Sequence, residues 1–112
     1  MKLELKENMY VRTKGGIIDK ILKLNKSYVK GVSQKDELYA YDIDNIVKAS
    51  YSITDILEVG DYVNGHRVEE INFENEEIFT DSEYYCGIVE FNNVKSVITH
   101  EQIEQMAYKV GE

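Results

Sequence analysis

The residues of this chain best suited to chemistry are one cysteine, Cys86, and two histidines, His66 and His100. A zinc site takes such ligands at short spacings, typically Cys-x-x-Cys or His-x-x-x-His, and no pair here has one. A catalytic cysteine needs a base beside it, and nothing in the spacing pairs Cys86 with either histidine. A single small cysteine in a strand is more often a packing residue. We therefore expect all three residues to be structural.

Two further patterns match ligand-binding loops only in part. The stretch DIDN (42–45) has the opening of a calcium loop, but Ile46 and Val47 stand where a ligand and the required glycine belong. Gly15 and Gly16 are typical of a hairpin turn and not of a phosphate-binding loop. The sequence thus predicts no catalytic residue, no metal, no cofactor, and a protein that is not an enzyme.

Binding chemistry concentrates in residues 73–85, FENEEIFTDSEYY. If this stretch forms a hairpin, alternate side chains share one face, so its carboxylates would form a ridge with aromatic rings at the end. Carboxylates along a ridge can take the places of phosphates, and tyrosines are enriched in protein interfaces. The alternative is a solvated hairpin whose aromatic residues anchor the core. The candidate binding residues are Glu74, Glu76, Glu77, Asp81, Glu83, Tyr84 and Tyr85.

The net formal charge of −8 is unevenly distributed. Residues 1–56 hold ten Lys or Arg and eight Asp or Glu, giving +2, whereas residues 57–112 hold three and thirteen, giving −10. An acidic half repels nucleic acid and anionic membrane and attracts basic surfaces. The pattern predicts a protein partner with a basic surface, no direct nucleic-acid binding and no membrane binding. The alternative is that the charge serves solubility alone.

Length and composition limit the class of protein. A chain of 112 residues is enough for one compact domain or for two very small units. No apolar run approaches the roughly 18 residues that cross a bilayer, and the start MKLELKENMY lacks the apolar core of a signal peptide. Together with the single cysteine, these features predict a cytoplasmic protein.

The elements that would position these residues repeat along the chain. Three segments recur in the second half: YV (10–11) as YV (62–63), IDKI (18–21) as VEEI (68–71), and DNIVKA (44–49) as NNVKSV (92–97). The offset between the copies falls from 52 to 50 to 48 residues, which indicates small loop deletions. A repeat of about 50 residues indicates that one supersecondary unit was duplicated in tandem.

The gap of three between the apolar residues of IDKI and VEEI suits either a helix or a bulged strand. The β-branched neighbours, the preceding glycine and the absence of a helix cap favour a strand. One extra residue in a strand changes which side chains face inward, so both apolar residues can face the core. Further strands are predicted at 27–32, 37–42, 45–50, 76–81, 86–91 and 94–99, and a turn or short helix at 52–57.

Thr99 and Gln102 have the spacing of a capping box, which predicts a helix over 100–106. A last strand over 107–110 would follow, with residues 1–5 as its pairing partner. The predicted fold is mainly β: two tandem SH3-like small barrels, or one double barrel, with a short C-terminal helix. The predicted units are 1–56, a first SH3-like β unit ending in a linker turn, and 57–112, a second, acidic SH3-like unit carrying the helix.

Three segments, NMYVRTKGGIIDKI (8–21), SITDILEVGDYVNGHRVEEI (52–71) and VITHEQIEQMAYKV (97–110), carry a resemblance. The chain resembles a group of small proteins from phages and prophages of low-GC Gram-positive bacteria. Those proteins share a YVRT–G–I start, a middle of the form DLIEVGDYVNG and an end of the form TKEQFE…YKV. The resemblance covers most of the chain, carries over no functional residue, and leaves residues 25–42 as a variable region.

Because phage accessory genes often encode inhibitors of host defence, the resemblance implies three alternative functions. The first is a non-catalytic, anti-CRISPR-like inhibitor in the host bacterial cell, whose acidic half binds a basic, nucleic-acid-binding protein surface. The second is an oligomeric sponge that sequesters a nucleotide immune signal through Arg12, Lys14 and Lys20. The third is a structural or assembly phage protein whose β units form a homo-oligomer. The first is our leading hypothesis.

Overall fold

The structure is a computed structural model, and it describes residues 4–107. Within that range the chain forms ten β-strands and one α-helix. It divides into two compact units, Met1–Ile56 and Leu57–Glu112, and each contains a five-stranded antiparallel sheet. The prediction of a mainly β chain is confirmed.

The strands of the first unit are β1 (Tyr10–Thr13), β2 (Ile18–Leu24), β3 (Tyr28–Val32), β4 (Leu38–Asp42) and β5 (Ile46–Ser50). The first four pair in sequence, and β5 returns to pair with β1, so the sheet order is β4-β3-β2-β1-β5. A 3₁₀ turn, Ile43–Asn45, separates β4 from β5, and another, Ile53–Ile56, ends the unit.

The strands of the second unit are β6 (Tyr62–Val63), β7 (His66–Asn72), β8 (Glu77–Thr80), β9 (Ile88–Glu90) and β10 (Val97–Ile98). The sheet order is β10-β6-β7-β8-β9. A 3₁₀ turn, Tyr84–Gly87, separates β8 from β9, and a second, Phe91–Asn93, precedes β10. The chain ends its described part with the helix α1 (His100–Met106).

The two units have the same strand order. In each unit the first four strands form a meander, and the fifth strand pairs with the first. The 3₁₀ turns before the fifth strands, Ile43–Asn45 and Phe91–Asn93, are 48 residues apart. That is the offset between DNIVKA and NNVKSV in the repeat. A tandem copy of one β unit produces this arrangement. The two sheets are open, with β4, β5, β9 and β10 at their edges, so closure into SH3-like barrels stays a prediction.

The predicted bulge is present in β7. Val68 pairs with Thr80 and Glu70 with Phe79, so Glu69 is the extra residue. The bulge brings Val68 and Ile71 to the core side although they are three positions apart. The strand interpretation of VEEI is confirmed.

In the first unit the bulge does not lie within IDKI. The prediction that Ile18 and Ile21 both face the core is therefore wrong. The register of β2 shifts between Ile21 and Lys23, after the motif. Asp19 and Ile21 therefore share the buried face by ordinary alternation, and Ile18 lies on the opposite face. Asp19 is only 2% exposed, so a carboxylate occupies a position where an apolar side chain was expected.

Each unit has its own apolar core. The buried members are Val11, Ile21, Val29 and Ile46 in the first unit, and Leu57, Val63, Val68 and Ile78 in the second. Burying a side chain of this size contributes about 1.5–3 kcal/mol. With four such residues in each core, hydrogen bonds of buried polar groups carry a large share of the specificity of the fold.

The helix and the turn before the second unit follow the sequence. Thr99 accepts a hydrogen bond from the backbone N–H of Gln102, and the Gln102 side chain accepts one from the backbone N–H of Thr99, which completes the predicted capping box. The helix α1 has the predicted bounds, and the turn predicted at 52–57 is the 3₁₀ turn Ile53–Ile56. The last strand and its partner, 107–110 and 1–5, fall largely outside the described residues.

Candidate functional site

The predicted acidic residues lie at two ends of β8 and not along one face of it. Glu74 and Glu76 are exposed in the β7–β8 turn, and Glu77 begins β8. Asp81, Glu83, Tyr84 and Tyr85 follow the other end of the strand. Side chains that alternate along a strand share a face only within that strand, and β8 has only four residues. The acidic residues before β8 and the residues after it therefore do not form one continuous ridge. The structure thus forms a turn end rich in carboxylates and a second end that carries the tyrosines.

The turn end gains one further carboxylate from the neighbouring strand. Glu90 of β9 is paired directly with Glu77 of β8. Like charges placed opposite each other on adjacent strands are unfavourable by up to about 1 kcal/mol. The pairing of Glu77 with Glu90 therefore lowers the stability of the free protein.

Asp81 has a structural role at the second end. Its carboxylate accepts the backbone N–H of Arg67 at 3.0 Å, and its own N–H donates to the Arg67 carbonyl at 3.0 Å. The imidazole Nδ1 of His66 lies 3.9 Å from the same carboxylate. Asp81 thus links the end of β8 to the start of β7 through two hydrogen bonds with the backbone of Arg67.

Tyr84 and Tyr85 are displayed to solvent. Their exposures are 76% and 89%, the largest of any large apolar or aromatic residue that the structure describes. Within residues 4–107, neither phenol ring has an aromatic or cationic partner, and neither hydroxyl has a hydrogen bond. Large aromatic side chains gain most from burial, so two adjacent rings in water are a surface suited to a partner.

The turn that carries the tyrosines has an unusual backbone. Tyr85, Cys86 and Gly87 have φ values of 52°, 57° and 74°, all in the left-handed region. For residues with a side chain this conformation costs roughly 1–2 kcal/mol each. Such strain persists where the surrounding structure determines it, and it is frequent at binding sites.

The surrounding structure that holds this turn is the end of β8. The Thr80 hydroxyl donates to the carbonyl of Gly87 at 3.0 Å and accepts from the Ser82 N–H at 3.3 Å. A Cβ at Gly87 would lie 2.3 Å from the Thr80 carbonyl oxygen, so only glycine allows this approach. The Ser82 hydroxyl accepts the Tyr84 N–H at 3.1 Å. These contacts hold the backbone of the turn Tyr84–Gly87 in one conformation, and we call it the locked turn.

A second polar cluster joins the loop before β6 to the helix α1. The buried carboxylate of Asp61 accepts the backbone N–H of Glu58 at 2.8 Å and that of His100 at 2.9 Å. The His100 Nε2 lies 2.8 Å from Glu58 Oε1 and 3.5 Å from Glu101 Oε1. Gly60, with φ of 98°, faces the imidazole, which lies in ordinary contact with the place a Cβ would take.

The Glu58, His100 and Glu101 side chains form the one group of three neighbouring His, Cys, Asp or Glu side chains among the residues described that could hold a metal ion. Their ligand atoms all lie within 4.8 Å of one another, and one imidazole with two carboxylates suits a divalent transition metal. The same contacts also form a hydrogen bond between His100 and Glu58 at the start of the helix. Asp61 positions both backbones, so the geometry is explained without a ligand.

Sequence reasoning missed this cluster because its members are far apart in the chain. Glu58 and His100 are separated by 42 residues, which no local spacing rule detects. The available signal was that Glu58 and His100 lie in the segments EVGDYVNG and THEQ, two of those on which the predicted resemblance rests.

The cationic residues of the nucleotide-sponge alternative do not form one exposed surface. Arg12 is fully buried, and its guanidinium donates to the carbonyl of Ile56 at 3.0 Å. Lys20 lies over the ring of Tyr10, 5.7 Å from its centroid. Only Lys14 and Lys20 of the three predicted residues are exposed.

No family model, curated protein or solved structure matches this chain. Among the described residues, no helix is both long and apolar enough to cross a membrane.

Proposed function

We propose that this chain is a non-catalytic phage-type accessory protein that inhibits a host defence system. In this proposal it acts in the cytoplasm of the host bacterium and binds the basic, nucleic-acid-binding surface of a host protein through its second unit. The observation that carries the proposal is the exposed pair Tyr84 and Tyr85 on a locked turn within an acidic unit.

The locked turn supports binding because it lowers the entropic cost of association. Residues that dominate binding energy are often Tyr, Trp or Arg, and a segment whose backbone is already held in place loses less freedom on binding. The backbone of Tyr84 and Tyr85 is held by Thr80, Ser82 and Gly87 before any partner arrives. The two rings are therefore suited to act as anchors.

The charge of the second unit supports a basic partner. Residues 57–112 carry a net formal charge of −10, from thirteen Asp or Glu and three Lys or Arg. Such a field speeds association with a positive surface and repels nucleic acid. The unfavourable Glu77–Glu90 pair is relieved when a cation from a partner lies beside it. Aromatic anchors would then set the dissociation rate, and charge the association rate.

The strand order supports an SH3-like interpretation of each unit. A four-strand meander, a 3₁₀ turn and a fifth strand that returns to the first form the sequence of elements in SH3-like domains. Both units have this sequence of elements. We therefore propose that each sheet is a bent SH3-like sheet, and that the resemblance to phage proteins reflects a duplicated form of it.

The experiment is a pull-down from lysate of a Gram-positive host, with the tagged full chain as bait. We expect a nucleic-acid-binding protein to be retained at low salt and released by high salt or by added duplex DNA. The double variant Tyr84→Ala, Tyr85→Ala should weaken binding to that purified protein by about 30-fold or more, because anchor tyrosines are worth about 2 kcal/mol or more. Tyr51→Ala is the matched control, since Tyr51 is 59% exposed in the first unit.

The charge contribution is tested separately with Glu74→Gln, Glu76→Gln and Glu83→Gln together. Asp81 is left intact because it fastens two strands. The control removes three exposed acids of the first unit, Glu7, Asp42 and Asp44. If both triple variants bind equally, or if DNA does not displace the partner, the proposal is wrong. A purified chain that carries a bound nucleotide would support the sponge instead.

A further inference from the structure

Asp19 is a buried acid with no partner among the described residues. It is 2% exposed, and neither of its carboxylate oxygens has a hydrogen bond within residues 4–107. A carboxylate has about four acceptor positions, and burial without partners is strongly unfavourable for its charged form. Buried charged groups are normally paired or bound to a metal. The position therefore needs an explanation.

The neighbouring strand is shaped to admit this carboxylate. A Cβ at Gly31 of β3 would lie 3.2 Å from the Asp19 Cβ and 3.5 Å from its Oδ2. The same point lies 3.2 Å from Cε2 of the Tyr41 ring on β4. The Asp19 side chain and the ring of Tyr41 thus both lie against the face of Gly31, where a larger residue would meet them.

The groups around Asp19 add further oxygen atoms. The Tyr41 hydroxyl is buried and likewise has no hydrogen-bond partner within the described range. Glu37 lies just before β4, and its Oε2 accepts the hydroxyl of Tyr39 at 2.5 Å. Burial, followed by the negative charge of Glu37, raises the pKa of Asp19. The hydrogen bond to Glu37 and the charges of Glu37 and Asp19 also raise the pKa of Tyr39.

We propose that Asp19, Glu37 and Tyr41 form a site for a hard divalent cation of the calcium type. The site is defined by Asp19, whose buried oxygens have no hydrogen-bond partner within residues 4–107, and by Tyr41, whose ring lies against the same face of Gly31 and whose hydroxyl is likewise unpartnered there. Two carboxylates balance the charge of one divalent ion, and all the groups offered are oxygen atoms, which hard cations prefer. Calcium suits the site better than magnesium, because calcium accepts an irregular set of oxygen ligands whereas magnesium demands near-ideal octahedral geometry.

The affinity should be modest. Calcium takes 6–8 oxygen ligands, and the three side chains supply fewer, so water must complete the shell. Sites of low ligand count bind calcium with dissociation constants of about 10⁻⁴–10⁻³ M. A cation in this position would tie β2 to β4 across β3, and it would stabilise the edge of the first sheet.

The experiment compares the thermal unfolding of the full chain in CaCl₂ with that in NaCl of equal ionic strength. At about ten times the dissociation constant, calcium should raise Tm by about 5 °C. Asp19→Asn should abolish this increase, and Tyr41→Phe should reduce it. Asp36→Asn is the matched control, because Asp36 is exposed on the same turn as Glu37 and its φ of 61° suits asparagine.

Circular dichroism of each variant shows whether it has folded, and calcium calorimetry gives the stoichiometry directly. Loss of one calcium per chain in Asp19→Asn, with retention in Asp36→Asn, supports the site. An equal calcium effect in the wild type and Asp19→Asn would overturn it, since the acidic second unit would then be the origin. No calcium effect in the wild type would also overturn it and would make Asp19 a buried acid held in its protonated form.

Discussion

The locked tyrosine turn predicts that two glycines with similar backbone conformations respond very differently to one added methyl group. Gly87 and Gly65 have φ of 74° and 85°, so alanine is disfavoured at both by roughly 1–2 kcal/mol. At Gly65, in the turn between β6 and β7, nothing lies within 4 Å of the new Cβ. At Gly87 the new Cβ meets the Thr80 carbonyl oxygen at 2.3 Å and the Ser82 carbonyl oxygen at 3.1 Å.

The additional loss at Gly87 comes from displaced backbone. Relieving the overlap with Thr80 forces the turn away from β8, at about 1–3 kcal/mol as for other overpacked sites. It also breaks the hydrogen bond from the Thr80 hydroxyl to the Gly87 carbonyl, worth about 1 kcal/mol. We therefore expect Gly87→Ala to lower the free energy of unfolding by about 3–6 kcal/mol and Gly65→Ala by about 1–2 kcal/mol.

Urea denaturation of the two variants and the wild type, followed by circular dichroism, measures both values. Because the two substitutions are chemically identical, their difference isolates the contact with Thr80. Equal losses in the two variants would refute the locked turn. A loss at Gly87 confined to about 1 kcal/mol would show that the turn moves away from Thr80 without resistance.

Two further predictions concern buried acids. Asp61→Ala should lower the free energy of unfolding by about 3 kcal/mol in urea, because two backbone N–H groups lose a charged acceptor; Glu69→Ala, an exposed acid of the same unit, should change it by less than about 0.5 kcal/mol. If both variants lose the same amount, Asp61 is not the connection between the loop and α1. In calcium-free buffer, burial and the charge of Glu37 raise the pKa of Asp19 in the folded protein above its ordinary value of 3.8. The stabilisation that Asp19 gives to the folded state is therefore fully present below pH 3.8. It is lost as the pH rises past the folded pKa, so the free energy of unfolding falls. Asp19→Asn should remove this fall in urea melts across the acid range, and an identical pH profile for variant and wild type would contradict the assignment.

The parts of the fold that sequence predicted depend on local signals. The capping residues Thr99 and Gln102, the glycine turns and the runs of β-branched residues act within a few positions. The repeat gave the alignment of the two copies, and the 3₁₀ turns keep its offset of 48 residues. The bulge in β7 followed from an apolar gap of three that only an extra residue explains.

The parts that sequence missed depend on partners distant in the chain. IDKI and VEEI have the same pattern, but pairing of β2 with β3 places the bulge after Ile21 and leaves Asp19 inside. The acidic ridge assumed a long hairpin, whereas β8 has only four residues before its chain turns away. Tyr85 and Cys86 adopt left-handed conformations that residues with side chains rarely take, so no propensity rule predicts their turn.

The shared strand order has a consequence for how this chain folds. In each unit the four meander strands join neighbours in sequence and form early, whereas the fifth must close a long loop back to the first. With two related units on one polypeptide, either final strand could insert beside the wrong opening strand, a failure typical of tandem repeats. β5 and β10 differ in length, five residues against two, and the halves differ in net charge. These differences in strand length and charge disfavour strand exchange between the two units during folding.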